Sequence, residues 1–411
     1  MSVDNLVLVN MISEQVIPAV LPVYHVQGIA RLVNLITADS FHEVSARIVR
    51  FYSEKLNDVF DGEGAVHADD MMVAYNDWHS TYDVVRELYA KHRQLLINLT
   101  GGTKLMAFGA YRAALEHQIP SFYIDSGSNQ WIWVVPASPS DYFQIERLSG
   151  DMSIRELVEL HGGQIRQSMP TPNQFDGRLF QISKLIATDY RIFKGIRAFN
   201  SEKYYHREPL QETPKETTVR ITWDSEASTT HKPFSESVFL DFITKFTRMG
   251  YISSFKKEKS RVMLIDLESD VYSLIRKQGN WLEYYIYSLL AREREQRNIY
   301  DLKMGITIEW EGQGAVTVNE ADVVVSIHRQ LYFISCKTGK LKGGNGTSAL
   351  DQLVSVAPRM GGMFTKKILV GMHDVTADLR ARAELLKIHL VSLQELTSSK
   401  NPVSILLGIH S

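Results

Sequence analysis

The chain has 411 residues, of which 44% are hydrophobic and 22% charged, and a formal net charge of −2. That length exceeds one ordinary core and predicts two domains with a connector; the near-neutral charge argues against a constitutive duplex binder but leaves room for a local basic groove. The single cysteine, Cys336, excludes an intrachain disulfide and points to a reducing cytoplasm, and no run approaches the roughly 20 apolar residues of a membrane span or the pattern of a secretory leader.

The first part alternates strand and helix signals. Leu6 to Val9 reads as a strand, followed by the Ser13-Glu14-Gln15 loop and a proline-interrupted helical segment from Val16 to Tyr24. Leu32 to Thr37 is a second strand ending at Ala38-Asp39-Ser40, and Ser40 with Glu43 has capping-box spacing for a helix carrying Val44, Ile48, Phe51 and Tyr52 on one face. A helix near Thr81 to Arg93 leads into an apolar run, Leu95 to Ile97. Phe122 to Ile124 and Trp131 to Val135 are further strands. Strands separated by helices predict a parallel-type sheet covered on both faces, with ligands bound beyond the carboxyl ends of the strands. Ser13, Asp39, Thr100 and the Asp125-Ser126-Gly127-Ser128 loop all follow strands and collect on one rim.

The most specific stretch is Asn98-Leu99-Thr100-Gly101-Gly102-Thr103-Lys104, between the Leu95 strand and a helical pattern from Leu105 to His117. Glycines let backbone N–H groups approach an anion, and the helix start adds unsatisfied N–H groups and partial positive charge. Thr100, Thr103 and Lys104 add donors. The competing reading is a plain helix entry with a threonine cap. The block lacks the GK[ST] ending of a P-loop, and no G-x-G-x-x-G precedes a helix, which disfavours an ordinary ATPase or NAD enzyme. The block resembles the signature of CARF domains, the Rossmann-like sensors of CRISPR systems that bind cyclic oligoadenylates. The resemblance implies ligand contacts at Thr100, Gly101, Gly102, Thr103 and Lys104, and also at Ser13, Glu14 and Gln15.

In the middle, Arg178 to Phe193 reads as a helix, Pro209 to Glu216 as an exposed connection, and Ser235 to Met249 as a helix ended by Gly250. Lys256, Lys257, Lys259 and Arg261 form a basic cluster, read first as a solvated turn and second as a contact for a nucleic-acid backbone. From Glu268 onward a second α/β core is expected. It has a helix over Gly279 to Arg294 and strands at Ile306 to Trp310, Asp322 to Ile327, Leu331 to Lys337 and Lys367 to Val370. A Gly343-Gly344-Asn345-Gly346 loop precedes a helix opened by Ser348 and Asp351.

Three pieces of this second core carry chemistry. Glu283 lies at the edge of the apolar stripe Leu282, Ile286, Leu289 and Leu290; Glu320 and Asp322 open a strand; Ser335, Cys336 and Lys337 close the next. If Arg329-Gln330 is a two-residue turn, Asp322 lies opposite Lys337, and Asp322, Ser335 and Lys337 share one side; a three-residue loop would instead oppose Asp322 to Cys336 and separate them. Carboxylates beside a lysine fit metal-assisted phosphodiester cleavage with Mg²⁺ or Mn²⁺. Singly, each piece is more simply a turn acid or a solvated lysine. A nucleophilic Cys336 lacks an evident base partner.

The ordered set of helix Glu, strand Asp, strand x-x-Lys and following helix resembles the PD-(D/E)xK, restriction-endonuclease-like fold. With the front half, the chain resembles CRISPR ancillary nucleases that fuse a CARF sensor to such a domain. The implied layout is an α/β protein with a CARF domain at 1–148, a connector at 149–267 and a nuclease at 268–411. The resemblance makes Glu283, Asp322 and Lys337 catalytic, with Glu320 as an additional acid and the Cys336 carbonyl facing the metal. It implies a homodimer activated by cyclic tetra-adenylate that cuts single-stranded DNA or RNA with Mn²⁺ or Mg²⁺. The family pattern has an acid where this chain has Ser335, so either Glu320 or Glu283 supplies the charge, or metal affinity is low, or the domain cuts weakly. The alternatives are a non-catalytic sensor with a degenerate nuclease-like domain, and a front domain that degrades its own activator.

Overall fold

The computed structural model describes residues 6–409 except 60–65, 126–129, 137–144, 148–149, 169–174, 201–204, 224–235, 260–261, 278, 311–316, 342, 363 and 374. Seven strands build the first sheet: β1 (Leu6–Met11), β2 (Ile29–Ile36), β3 (His67–Met72), β4 (Leu95–Asn98), β5 (Ser121–Asp125), β6 (Gln130–Val135) and β7 (Ile145–Arg147). Their order is β3-β2-β1-β4-β5-β6-β7, parallel through β5 and antiparallel beyond. The expected strands are present with longer bounds, and β3 is an addition. Its sequence, HADDMM, is polar and mostly exposed because it is the edge strand, so it lacks the apolar alternation that marks an inner strand. Of the rim loop after β5, residues 126–128 lie outside the described residues.

The middle region holds a four-stranded sheet, ordered β11-β12-β10-β9, formed by β9 (Tyr205–Glu212), β10 (Glu216–Trp223), β11 (Ile252–Lys259) and β12 (Val262–Glu268). The exposed connection expected over Pro209 to Glu216 is instead part of a β9–β10 hairpin. Pro209 is tolerated because β9 is an edge strand with a register shift beside it, where Val219 pairs Pro209 and Thr218 pairs Gln211. Lys256, Lys257 and Lys259 lie on β11 rather than in a turn; Arg261 lies outside the described residues. The helix expected over Arg178 to Phe193 is two helices, Gly177–Thr188 and Tyr190–Phe199. Asp189 separates them and caps the second by accepting from Arg191 and Ile192 N–H.

The third sheet is ordered β17-β16-β15-β14-β13-β8, from β8 (Gly163–Ser168), β13 (Ile299–Trp310), β14 (Thr317–Ile327), β15 (Gln330–Lys337), β16 (Lys366–Gly371) and β17 (Ile388–Ser392). The segment expected as a connector thus lends β8 to the last sheet. The helix Asn280–Arg292 packs in one core with the middle region. A second core runs from the first sheet through the helix Ile154–Leu160 to the helix Gly344–Gly361. The glycines expected as a loop before that last helix form its first turn.

Residues 150–154 join the halves and are hydrogen-bonded from both sides. Arg329 donates to the Gly150 carbonyl, Tyr24 Oη to Asp151 O at 3.3 Å and Ser326 Oγ to Met152 O at 2.6 Å; Asp301 Oδ2 accepts from Ile154 N–H at 2.9 Å. Tyr24 comes from the first half, and the other three side chains from β13, β14 and the turn between β14 and β15.

The β14–β15 hairpin turns at His328-Arg329, both with positive φ (48° and 65°), the twist that a two-residue hairpin requires. Ile327 pairs Gln330 and Val323 pairs Ile334, so continuation of the ladder opposes Asp322 to Ser335, not to Lys337. The expected turn was displaced by one residue on each strand, which moves the partner by two and preserves the side. The pleat itself breaks here. Gly305, opposite Asp322, has φ 58°, and the core-facing residues of β14 change cluster across this point: Val323, Val325 and Ile327 join one core, Ala321 the other. Gly305→Ala forces a side chain into that left-handed conformation, and should cost about 1–2 kcal/mol in urea unfolding.

Candidate active site and ligand pocket

β1 and β4 are neighbours at the point where strand order reverses, so the loops leaving them diverge and open a crevice. A cavity of about 390 Å³ lies there. Its wall is Ile12, Ser13, Glu14 and Gln15 after β1, Thr37 and Phe41 after β2, and Thr100, Gly102, Thr103 and Met106 after β4. The two loops singled out in the sequence therefore face one another across a single cavity. Asp39, Gly101 and Lys104 are not part of its wall. Ile12, Thr37, Phe41 and Met106 were not anticipated; they flank the marked loops, and no residue pattern distinguishes them.

Each residue of the glycine loop has a specific task. A Cβ at Gly101 would stand 1.8 Å from the Met11 carbonyl oxygen, so only glycine lets the loop lie against the end of β1; Gly102 has φ 69°. Thr100 Oγ1 accepts from Ile124 N–H at 2.8 Å, which leaves its own proton free to donate. Thr103 is the cap of the helix Lys104–His117. Its hydroxyl accepts from Met106 N–H at 3.2 Å and donates to Tyr75 O at 2.9 Å, so it is committed rather than a spare donor. Among the described residues, the N–H groups of Gly101 and Gly102 have no acceptor.

The second site gathers on β14, β15 and the helix Asn280–Arg292. Asp322 Oδ2 accepts from Ser335 Oγ at 3.1 Å and from Cys336 N–H at 2.7 Å, and Lys337 Nζ lies 3.8 Å away. The carboxylate thus takes a backbone donor of β15 where the β14 ladder has stopped. Ser335, in the place of the expected acid, is buried and serves as a donor to Asp322. Glu283 sits in the first turn of its helix, half-buried. Burial first, then the charges of Asp322 and Glu320, push it up to about 8, against the pull of Lys337 and Lys277. Burial, reinforced by Asp322 and Glu283, pushes the Cys336 thiol well above its ordinary range, which is unsuited to a thiolate nucleophile.

Among the described residues, no three His, Cys, Asp or Glu side chains stand close enough together to hold a metal ion. The donor set nevertheless fits a hard divalent cation. Its side-chain oxygens are carboxylates, and their mutual repulsion, expressed in Glu283, is what such a cation relieves. Glu283 and Asp322 would hold it.

Residues 7–149 match the Card1 CARF domain family, and residues 272–404 match the Card1-like endonuclease domain family. Among solved structures, the chain is similar to protein VC1899 from Vibrio cholerae (15% identity, 98% of this chain and 97% of that one, TM-score 0.75). It is also similar to Can2 from Sulfobacillus thermosulfidooxidans in complex with cyclic tetra-adenylate (18% identity, 98% and 97%, TM-score 0.67). At these identities the likeness is one of fold, and it spans both halves. No curated protein matches.

Because Glu283 is raised in the folded chain, it holds a proton that the unfolded chain has already released between the usual carboxylate range and about pH 8. Its contribution to stability is therefore full at acid pH and is lost as pH rises through about 8. In metal-free protein, Glu283→Gln should flatten the fall in melting temperature between pH 5 and pH 9. Adding Mn²⁺ at pH 8 should raise the melting temperature of the parent protein more than that of the variant.

Proposed function

Because the chain carries a Card1 CARF domain followed by a Card1-like endonuclease domain, we propose that it is a nuclease switched on by cyclic tetra-adenylate in type III CRISPR antiviral defence. It works in the cytoplasm; among the described residues no helix is long and apolar enough to cross a membrane. In this reading residues 1–148 sense the ligand, 268–411 cut, and 149–267 join them. The observation that carries the reading is the meeting of Glu283, Asp322 and Lys337, from a helix and two strands, in a chain whose other domain opens a cavity between two anion-friendly loops.

The phosphates of the ring are taken by the free N–H groups of Gly101 and Gly102, the Thr100 hydroxyl and Lys104; Ser13, Glu14 and Gln15 close the opposite wall, and Thr103 and Asp39 complete the rim. A two-fold ring suits two copies of the chain related by a two-fold axis. The helix Lys104–His117 supports that arrangement, since Leu105, Phe108, Tyr111 and Leu115 leave an exposed apolar stripe starting at the ligand loop. A second copy seated on it would bring its own loop to the same ligand. Binding would then shift the balance between arrangements of the two nuclease domains.

At the cutting site Glu283 and Asp322 hold the cation, Mn²⁺ or Mg²⁺, with the Cys336 carbonyl beside them and Glu320 as the additional acid. When bound, the cation supplies Lewis acidity toward the phosphoryl oxygen and a nucleophilic water. Ser335 fixes the Asp322 carboxylate, and Lys337 neutralises charge developing on the phosphate. The substrate is single-stranded DNA or RNA.

Labelled single-stranded RNA and DNA, incubated with the protein and Mn²⁺, should be cut only when cyclic tetra-adenylate is added. Asp322→Ala should lower cutting by about two orders of magnitude or more while leaving ligand binding intact. Lys104→Ala should weaken ligand binding by about 10- to 100-fold, the worth of one charge-assisted hydrogen bond. Tight ligand binding without cleavage of either strand type would reduce the protein to a sensor.

A further inference from the structure

A polar row crosses the apolar middle of the first sheet. Asp70 on β3, Asn34 on β2, Asn10 on β1 and Asn98 on β4 stand in register on four parallel strands, and the three asparagines are at most 2% exposed. Buried amides are costly unless satisfied. Here the donors all run one way. Asn98 Nδ2 donates to Asn10 Oδ1 at 3.1 Å, Asn10 Nδ2 to Asn34 Oδ1 at 3.5 Å and Asn34 Nδ2 to Ser45 Oγ at 2.7 Å; Ser45 Oγ then donates to Asp70. Asp70 also pairs with His42 at 2.6 Å.

Asn98, at the head of the row, has two further bonds. Its Oδ1 accepts from Thr100 N–H at 3.1 Å, and its Nδ2 donates to the Pro18 carbonyl at 2.9 Å. Thr100 opens the glycine loop, and Pro18 lies just past the Ser13–Gln15 loop. One buried side chain is therefore bonded to Thr100 in one wall of the cavity and to Pro18, three residues past Gln15 of the other wall. Its orientation is fixed: Pro18 O and Asn10 Oδ1 admit only the NH₂ group, and Thr100 N–H admits only the oxygen.

We propose that Asn98 is the positioning residue of the ligand site, tying the Thr100–Lys104 loop to the Pro18 turn that follows Ser13–Gln15, and that the row behind it holds its amide one way round. This rests on the reading of the cavity as a cyclic oligoadenylate site. Asn98 consumes the Thr100 N–H and so sets where the free N–H groups of Gly101 and Gly102 point. It acts on affinity and not on phosphodiester chemistry in the other domain.

The test uses full-length Asn98→Ala with cyclic tetra-adenylate as probe and labelled single strands as substrate. The half-activating concentration should rise about tenfold or more, the effect of one lost hydrogen bond or two, while the cleavage rate at saturating activator stays unchanged. Without ligand, amide exchange should quicken in peptides spanning 12–20 and 99–104, and not in those covering β16. Asn98→Asp keeps the acceptor for Thr100 but loses the donor to Pro18, so it should loosen 12–20 more than 99–104. Unchanged half-activation, a lowered maximal rate alone, or faster exchange throughout the chain would overturn the proposal. If neither variant folds, the parent protein decides: its Thr100 amide must exchange as slowly as those of β4, and a fast one refutes the tie. If the parent protein binds no cyclic tetra-adenylate, the ligand reading fails, while the exchange measurements still judge the tie.

Discussion

Carboxylates brought together out of water repel, and the endonuclease half is organised around holding them there. Glu283 carries the cost: it is lifted by burial and by its acidic neighbours at once. What surrounds it is compensation. Lys337 supplies opposite charge, and Ser335 and the Cys336 N–H bind the Asp322 carboxylate from behind. The β14–β15 ladder ends at Val323 and Ile334, and the Asp322 carboxylate takes the next β15 donor itself. Ser335 fits this scheme, since a third buried acid touching Asp322 would add repulsion where a hydroxyl adds a hydrogen bond.

The sensor half solves the converse problem. It carries polar groups inside an apolar sheet and open donors at its rim. The asparagine row satisfies its own buried amides, and the glycine loop leaves two N–H groups open. Glycine at position 101 is required by the Met11 carbonyl, so packing alone already fixes the residue there.

Much of this was legible from the chain. Strand, glycine loop and helix at 95–117 were read from composition and spacing alone, and so was the placing of Ser13 and Thr100 on one rim. The grouping of Asp322, Ser335 and Lys337 came from hairpin parity, which survives an error of one residue on each strand. The turn itself was missed because His328 and Arg329 adopt positive φ without glycine or asparagine to announce it. β3 and β9 were missed because edge strands need no apolar alternation and tolerate a proline. The Gly305 kink and the asparagine row are invisible to local pattern: each depends on what a residue meets across the sheet.

The segment 150–154 makes the two halves poor candidates for shuffling. Its carbonyls are claimed alternately by Tyr24 and by side chains of β14 and its turn, and the chain then enters β8, which completes the far sheet. A recombination event that exchanged only the first 150 residues would remove Tyr24 and leave the Asp151 carbonyl without that donor. Sensor and effector of this lineage should therefore be inherited as one piece, seam included.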